Sequence, residues 1–264
     1  MGFSSNCCGA RVRVSTAKRE GEILRKIVHT LLVLALLLPY IFPEITAILG
    51  LSKVHIYMLV ATVFAAVNSF QIKKPLLARR ILSEIRALRQ VLINDILDQK
   101  IVRKVPLMER FTQLAKTTEE RVRTFEDKLI EYIESMERDY EKRSGYIGAT
   151  FGAVAIAFSQ LFFGDATFYG ILSLLVYDSL TAIATTALNG AAIPYSSTSI
   201  KGALLGFTSF LICLLALGVG AYKALILAVV ALVSEAYFVE DNLALPISVS
   251  LTYWILENFL GGLL

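Results

Sequence analysis

Charge is scarce in this sequence. Only 18% of its 264 residues are charged, 56% are hydrophobic and the mean hydropathy is +0.63, a balance that a water-soluble domain could not hide in one core. Cysteine is scarce as well. Three residues without a Cys-x-x-Cys pair exclude a disulfide framework, and adjacent Cys7 and Cys8 read as an ordinary cytosolic pair. Ten-residue segments of alternating polarity are missing, which excludes a porin-like barrel. The opening Met-Gly-Phe-Ser-Ser-Asn lacks the Ser or Thr at position 6 that myristoylation needs. The first apolar run opens near Ile27 and outlasts the core of a cleavable signal peptide, so no cleavable leader is expected.

Continuous apolar runs remain, and each stretch of roughly 20 such residues suits one helical span. The expected fold is all-α: a polytopic helical membrane protein of about seven transmembrane helices, with a cytoplasmic helical hairpin inserted after the second. The spans run roughly over 23–42, 54–70, 146–163, 166–188, 202–218, 223–238 and 243–260. Three regions follow: 1–70 with two spans, a charged hairpin over 71–144, and a membrane domain over 145–264.

The charge that exists is unevenly placed. Between Gln71 and Arg143 lie 17 of the 26 basic and 13 of the 22 acidic residues. Arg11, Arg13, Lys18, Arg19, Arg25 and Lys26 precede the first span, so the N-terminus and the charged segment both belong on the cytoplasmic side. In that segment Ile81, Ile85, Leu88, Leu92 and Ile96 form one apolar stripe. Phe111, Leu114, Val122, Phe125, Leu129, Ile133, Met136 and Tyr140 form another, and Pro106 breaks the helix between them. Glu and Arg are expected on the outer faces, and the hairpin is read as a scaffold, lid or homodimer contact. Acids nearly balance bases there, which argues against a nucleic-acid surface.

After Gly145 only Asp165, Asp178, Lys201, Lys223, Glu235, Glu240, Asp241 and Glu257 are charged, and charge inside an apolar span is expensive enough to point to function. Three constellations share the expected cytoplasmic face. Glu22, Arg25, Lys26 and His29 open the first span at helical spacing, with two cations suited to a polyphosphate. Asp178 lies within its span, and the turn that follows it, Asn189-Gly190 to Thr198-Ser199-Ile200-Lys201-Gly202, offers hydroxyls, backbone N–H groups and a lysine to an anion. Glu235, Glu240, Asp241 and Asn242 supply hard oxygen donors of the kind Mg²⁺ prefers beside phosphate. Together they suggest phosphoryl or nucleotidyl transfer onto a membrane lipid.

At these residues the sequence resembles the polyprenol kinase family, which includes dolichol, phytol and farnesol kinases and the CTP-dependent diacylglycerol kinase. The family's Glu-x-x-Arg-Lys-x-x-His is similar to Glu22, Arg25, Lys26 and His29. Its Gly-Asp, Gly and Lys-Ser-x-Glu-Gly resemble Tyr177-Asp178, Gly190 and Thr198-Ser199-Ile200-Lys201-Gly202, and its Glu with Asp-Asp-Asn and Pro resembles Glu235, Glu240-Asp241-Asn242 and Pro246. Tyr177, Thr198, Lys201 and Glu240 depart from the pattern, and Gly164-Asp165, which spells the family dipeptide, lies too far from the turn to serve.

The resemblance implies a CTP-dependent, Mg²⁺-dependent kinase acting on an isoprenoid alcohol, with nucleotide and lipid as partners, in a plasma or endoplasmic-reticulum membrane. Asp178, Glu235 and His29 are the candidate catalytic groups, with Asp178 and Glu235 both open as the base. Arg25, Lys26, Thr198, Ser199, Lys201, Gly202 and Asn242 are the candidate phosphate and nucleotide contacts, and Asp178, Glu235, Asp241 and Glu240 the candidate metal ligands. A lipid cytidylyltransferase is the competing enzyme class, though its Pro-Gly-His-Gly-Gly and Asp-Arg-x-Asp signature is absent. A non-catalytic carrier or scaffold is the third reading.

Overall fold

The structure, a computed structural model, describes residues 6–73, 77–98, 117–128, 130–131, 147–188, 190–194, 196, 198–238 and 240–259. Among them it is all-helical, with a single isolated bridge between Ala192 and Ser199 as its extended pairing. The chain forms two compact units, one of 1–21 with 70–145 and one of 22–69 with 146–264.

The larger unit contains the candidate site. Its helices are α1 (Asn6–Ile41, which enters the unit at Glu22), α2 (Glu44–Leu49), α3 (Lys53–Lys73), α6 (Ile147–Phe163), α7 (Thr167–Leu172), α8 (Ser179–Ala187), α9 (Ile200–Ala216), α10 (Ala221–Tyr237) and α11 (Asp241–Asn258). Leu24–Ile41, Lys53–Lys73 and Ile147–Ala187 are long and apolar enough to cross a membrane. Large apolar side chains such as Leu31, Leu34, Ile212 and Leu225 face outward, a surface suited to a hydrocarbon surrounding.

The apolar stretch Ile147–Ala187 does not run straight. Gly164 takes φ +57°, a left-handed conformation that glycine adopts without strain, and a 3₁₀ turn over Gly164–Ala166 follows. Neighbours along α11 show that the chain reverses there. A Cβ on Gly148 would lie 3.1 Å from the Asn242 amide nitrogen, and the Phe163 ring meets Trp254 at 6.1 Å. On the way back Tyr169 stacks on Tyr253 at 3.8 Å, and Asp178 reaches Asp241. Thus α6 is parallel to α11, and the segment from α7 to α8 is antiparallel to it.

Between α7 and α8, Ser173–Asp178 forms a π-helical turn, so the register of Asp178 departs from a plain 3.6-residue period. The Ser179 hydroxyl donates to the Leu174 carbonyl five residues back at 3.3 Å. The core between these layers holds Ile156, Ile171, Tyr177, Phe210, Leu227 and Leu245, all buried.

The smaller unit shows α4 (Leu77–Asp98) and a helical segment, α5, over 117–128. It corrects the expected placing of charge on the outer faces. Glu126 is buried and paired with Arg86 at 3.0 Å and, through both of its oxygens, with Arg89; Arg89 also approaches Glu119 at 3.5 Å. Ile81, Ile85, Leu88 and Phe125 are exposed instead, while Val122 is half-buried. Arg86 and Arg89 stand three apart, as neighbours on one helix face, and a fork-shaped guanidinium holds a carboxylate at two points. That pairing sets which face of α4 meets α5. Phe111, Leu114, Leu129, Ile133, Met136, Tyr140 and Pro106 lie outside the described residues, as do the side chains of Cys7, Cys8, Glu22, Leu92 and Ile96.

Two expectations follow. A Cβ on Gly170 would run into the Ser250 hydroxyl and the Pro246 carbonyl, so Gly170→Ala should destabilise the fold by about 1–3 kcal/mol. Gly220→Ala, with open space around it, should change little; thermal unfolding in neutral detergent compares the two. In the smaller unit, hydrogen bonds from Arg89 and then Arg86 hold the Glu126 carboxyl below its ordinary range. The pairing therefore contributes stability above the unfolded carboxyl value and loses it as pH falls through the depressed one. Hydrogen exchange of 117–128, corrected for its intrinsic pH dependence, should lose protection on acidification, and Glu126→Gln should show the loss already at pH 7.

Candidate functional site

Asp178 closes the π-helical turn, Glu235 lies in the last turn of α10, and Asp241 opens α11. One carboxylate oxygen from each lies within 4.8 Å of the other two. Asp241 is placed by its helix start, where its Oδ1 accepts from the Asn242 N–H at 2.7 Å and where negative charge suits the helix dipole. Asp178 is 1% exposed, and a carboxylate so buried requires charged partners.

The partners come from α1. Lys26 Nζ donates to both Asp178 oxygens, at 2.8 and 3.1 Å. His29 Nε2 stands 3.1 Å from Asp178 Oδ2, off the hydrogen-bond direction. One turn along, the Thr30 and Ser179 hydroxyls share a hydrogen bond of 3.0 Å, which fixes the register of α1 against α8. Nothing in sequence spacing singled out Thr30; a polar residue beside a charged one on an otherwise apolar helix was the available signal.

Of the expected metal ligands, Asp178, Glu235 and Asp241 converge, whereas Glu240, one residue before Asp241, does not join the three. Glu235 Oε2 is buried without a hydrogen-bond partner. Three carboxylates gather beside Lys26, and hard oxygens at this spacing are the donor set of a divalent cation such as Mg²⁺.

The expected phosphate turn packs along α8. Ser199 caps α9, its hydroxyl accepting from the Gly202 N–H at 3.0 Å, and the Thr185 hydroxyl accepts from the Ser199 N–H at 3.3 Å. The Ile193 N–H donates to the Thr198 carbonyl at 2.9 Å and the Ile200 N–H to Ala191 at 2.9 Å. Thr198, Ser199 and Gly202 are buried in this clasp, and Lys201 is exposed. A Cβ on Gly202 would strike the Thr185 hydroxyl and lie 2.8 Å from the Thr181 carbonyl, so the glycine lets α9 press against α8. The clasp therefore lies beside Thr181 and Thr185 of α8, about 5 to 10 Å along the axis from Asp178. Asn242 turns its amide toward Gly148 of α6. Arg25 is half-buried, one residue before Lys26. Asp165 lies at the far end of the unit, where it pairs with Lys53 at 2.7 Å.

No protein-family model matches the chain, nor does any curated protein or solved structure.

The Lys26–Asp178 pair should be structural as well as chemical. Lys26→Met leaves a buried carboxylate without its ammonium and should cost about 3–5 kcal/mol. Combining it with Asp178→Asn should restore most of that loss in detergent unfolding; an equal loss in the double variant would show that the pair is not what holds α1.

Proposed function

We propose that this chain is a membrane lipid kinase that transfers the γ-phosphoryl group of CTP, or another nucleoside triphosphate, to the hydroxyl of an isoprenoid alcohol such as dolichol, polyprenol or geranylgeraniol. In this reading α1, α3, α6, the segment from α7 to α8, α9, α10 and α11 each cross the bilayer. The Asp178 end faces the cytoplasm. The observation that carries the proposal is the convergence of Asp178, Glu235 and Asp241 beside Lys26 and His29, from four helices, at one end of an apolar bundle.

Asp178 and Asp241, with Glu235 nearby, would hold Mg²⁺, which when bound would screen the donor phosphates and polarise the phosphorus–oxygen bond that breaks. Lys26, with Arg25 beside it, neutralises charge on the transferred group, and positioning with electrostatics supplies most of such catalysis. The lipid hydroxyl loses its proton as its oxygen bonds to the γ-phosphorus, while the bond to the nucleoside diphosphate breaks. Glu235 suits the base role better than Asp178: its Oε2 is buried and unpartnered, whereas both oxygens of Asp178 are engaged by Lys26.

The test is transfer of label from CTP marked separately at the α and γ phosphates, with ATP alongside, to a panel of polyprenols, geranylgeraniol, phytol and diacylglycerol, and to the phosphorylated forms of these lipids. Label from the γ position alone is expected, with Asp178→Asn lowering the rate by about 10²-fold or more. Label from the α position would instead make it a cytidylyltransferase. No transfer by folded protein to any acceptor would leave a carrier or scaffold.

A further inference from the structure

At the end of the larger unit opposite the carboxylates lies an open cleft of about 520 Å³. We propose that it binds an alkylammonium group, carried by a free organic amine or by a lipid head group.

Its walls are aromatic. Tyr169 stacks on Tyr253, Trp254 packs against Phe163, and Tyr40 meets Phe168 edge-on at 5.6 Å. The Tyr40 ring is pinned, because its hydroxyl donates to Gln160 Oε1. The charged groups lining the cleft are Lys53, Asp165 and Glu257; Asp165 pairs with Lys53 and Glu257 with Lys223, and the carboxylates of both pairs remain exposed.

The chain itself demonstrates the binding chemistry. Lys53 Nζ sits 4.1 Å from the centroid of the Tyr40 ring while pairing with Asp165 at 2.7 Å, so a primary ammonium is already held between a ring face and a carboxylate. The opposite wall repeats those two elements. Glu257 lies beside Tyr253 and Trp254 in the lining, its side chain is 54% exposed, and it engages Lys223 through Oε2 at 2.7 Å. A hydrated inorganic ion gains little from aromatic walls, and a neutral apolar molecule gains nothing from the carboxylates. An alkylated ammonium gains from both, through ring quadrupoles and through charge.

Trp254 is the sole tryptophan of the chain, so its fluorescence reports on this cleft alone. The full chain in maltoside detergent would be titrated with choline and with 3,3-dimethylbutan-1-ol, its uncharged isostere. A saturable change with choline and none with the isostere is expected, and Glu257→Gln should weaken the choline response about tenfold or more. Equal responses to both compounds would overturn the proposal, as would silence toward choline while acrylamide still quenches Trp254. A choline response that Glu257→Gln leaves intact would overturn it too. Repeating the titration in phosphatidylcholine and phosphatidylglycerol vesicles separates the two sources. Loss of the choline response in phosphatidylcholine alone identifies the lipid head group as the occupant, and its persistence in both identifies a free amine. Activity with CTP takes no part in this readout.

Discussion

The larger unit is organised around one ion pair. A carboxylate as buried as that of Asp178 demands a cation, and Lys26 supplies it from a helix 152 residues away in sequence. Meeting that demand fixes the height and rotation of α1 beside the π-helical turn, and the Thr30–Ser179 hydrogen bond holds the same register one turn on. Glu235 and Asp241 then gather beside that pair. The pair thus ties the packing of the helices to the chemistry at their end.

Two local departures from regular helix make the arrangement geometrically feasible. Gly164 turns one long apolar stretch into an antiparallel pair, which returns Asp178 to the end where α6 begins. The π-helical turn then alters the face on which Asp178 emerges. A straight α-helix over the same residues would carry the carboxylate away from α11 altogether. The two ends of the unit end up chemically distinct. One gathers carboxylates with a lysine and a histidine; the other gathers aromatic rings with the ion pairs Lys53–Asp165 and Lys223–Glu257.

Among the described residues of the smaller unit, charge pairs rather than apolar side chains make the buried contact. Its described helices meet through Arg86, Arg89 and Glu126, and leave Ile81, Ile85 and Leu88 on the outside. Helical periodicity located that apolar stripe correctly but could not decide which stripe would find a partner. The pattern marks faces, whereas pairing depends on what the second helix presents.

Composition and periodicity by themselves determined the all-helical class, the apolar stretches, and Lys26, His29, Asp178, Glu235 and Asp241 as residues of interest, because charge on an apolar helix is costly wherever the helix goes. Tertiary structure decided which of them meet. It brought three carboxylates together and left Glu240 out. It also spent the Ser199 hydroxyl on a helix cap and packed the Ser/Thr turn against Thr181 and Thr185. Those outcomes rest on a left-handed glycine, a widened helical turn and the helix contacts they permit, and such long-range geometry leaves no periodic trace in the order of residues.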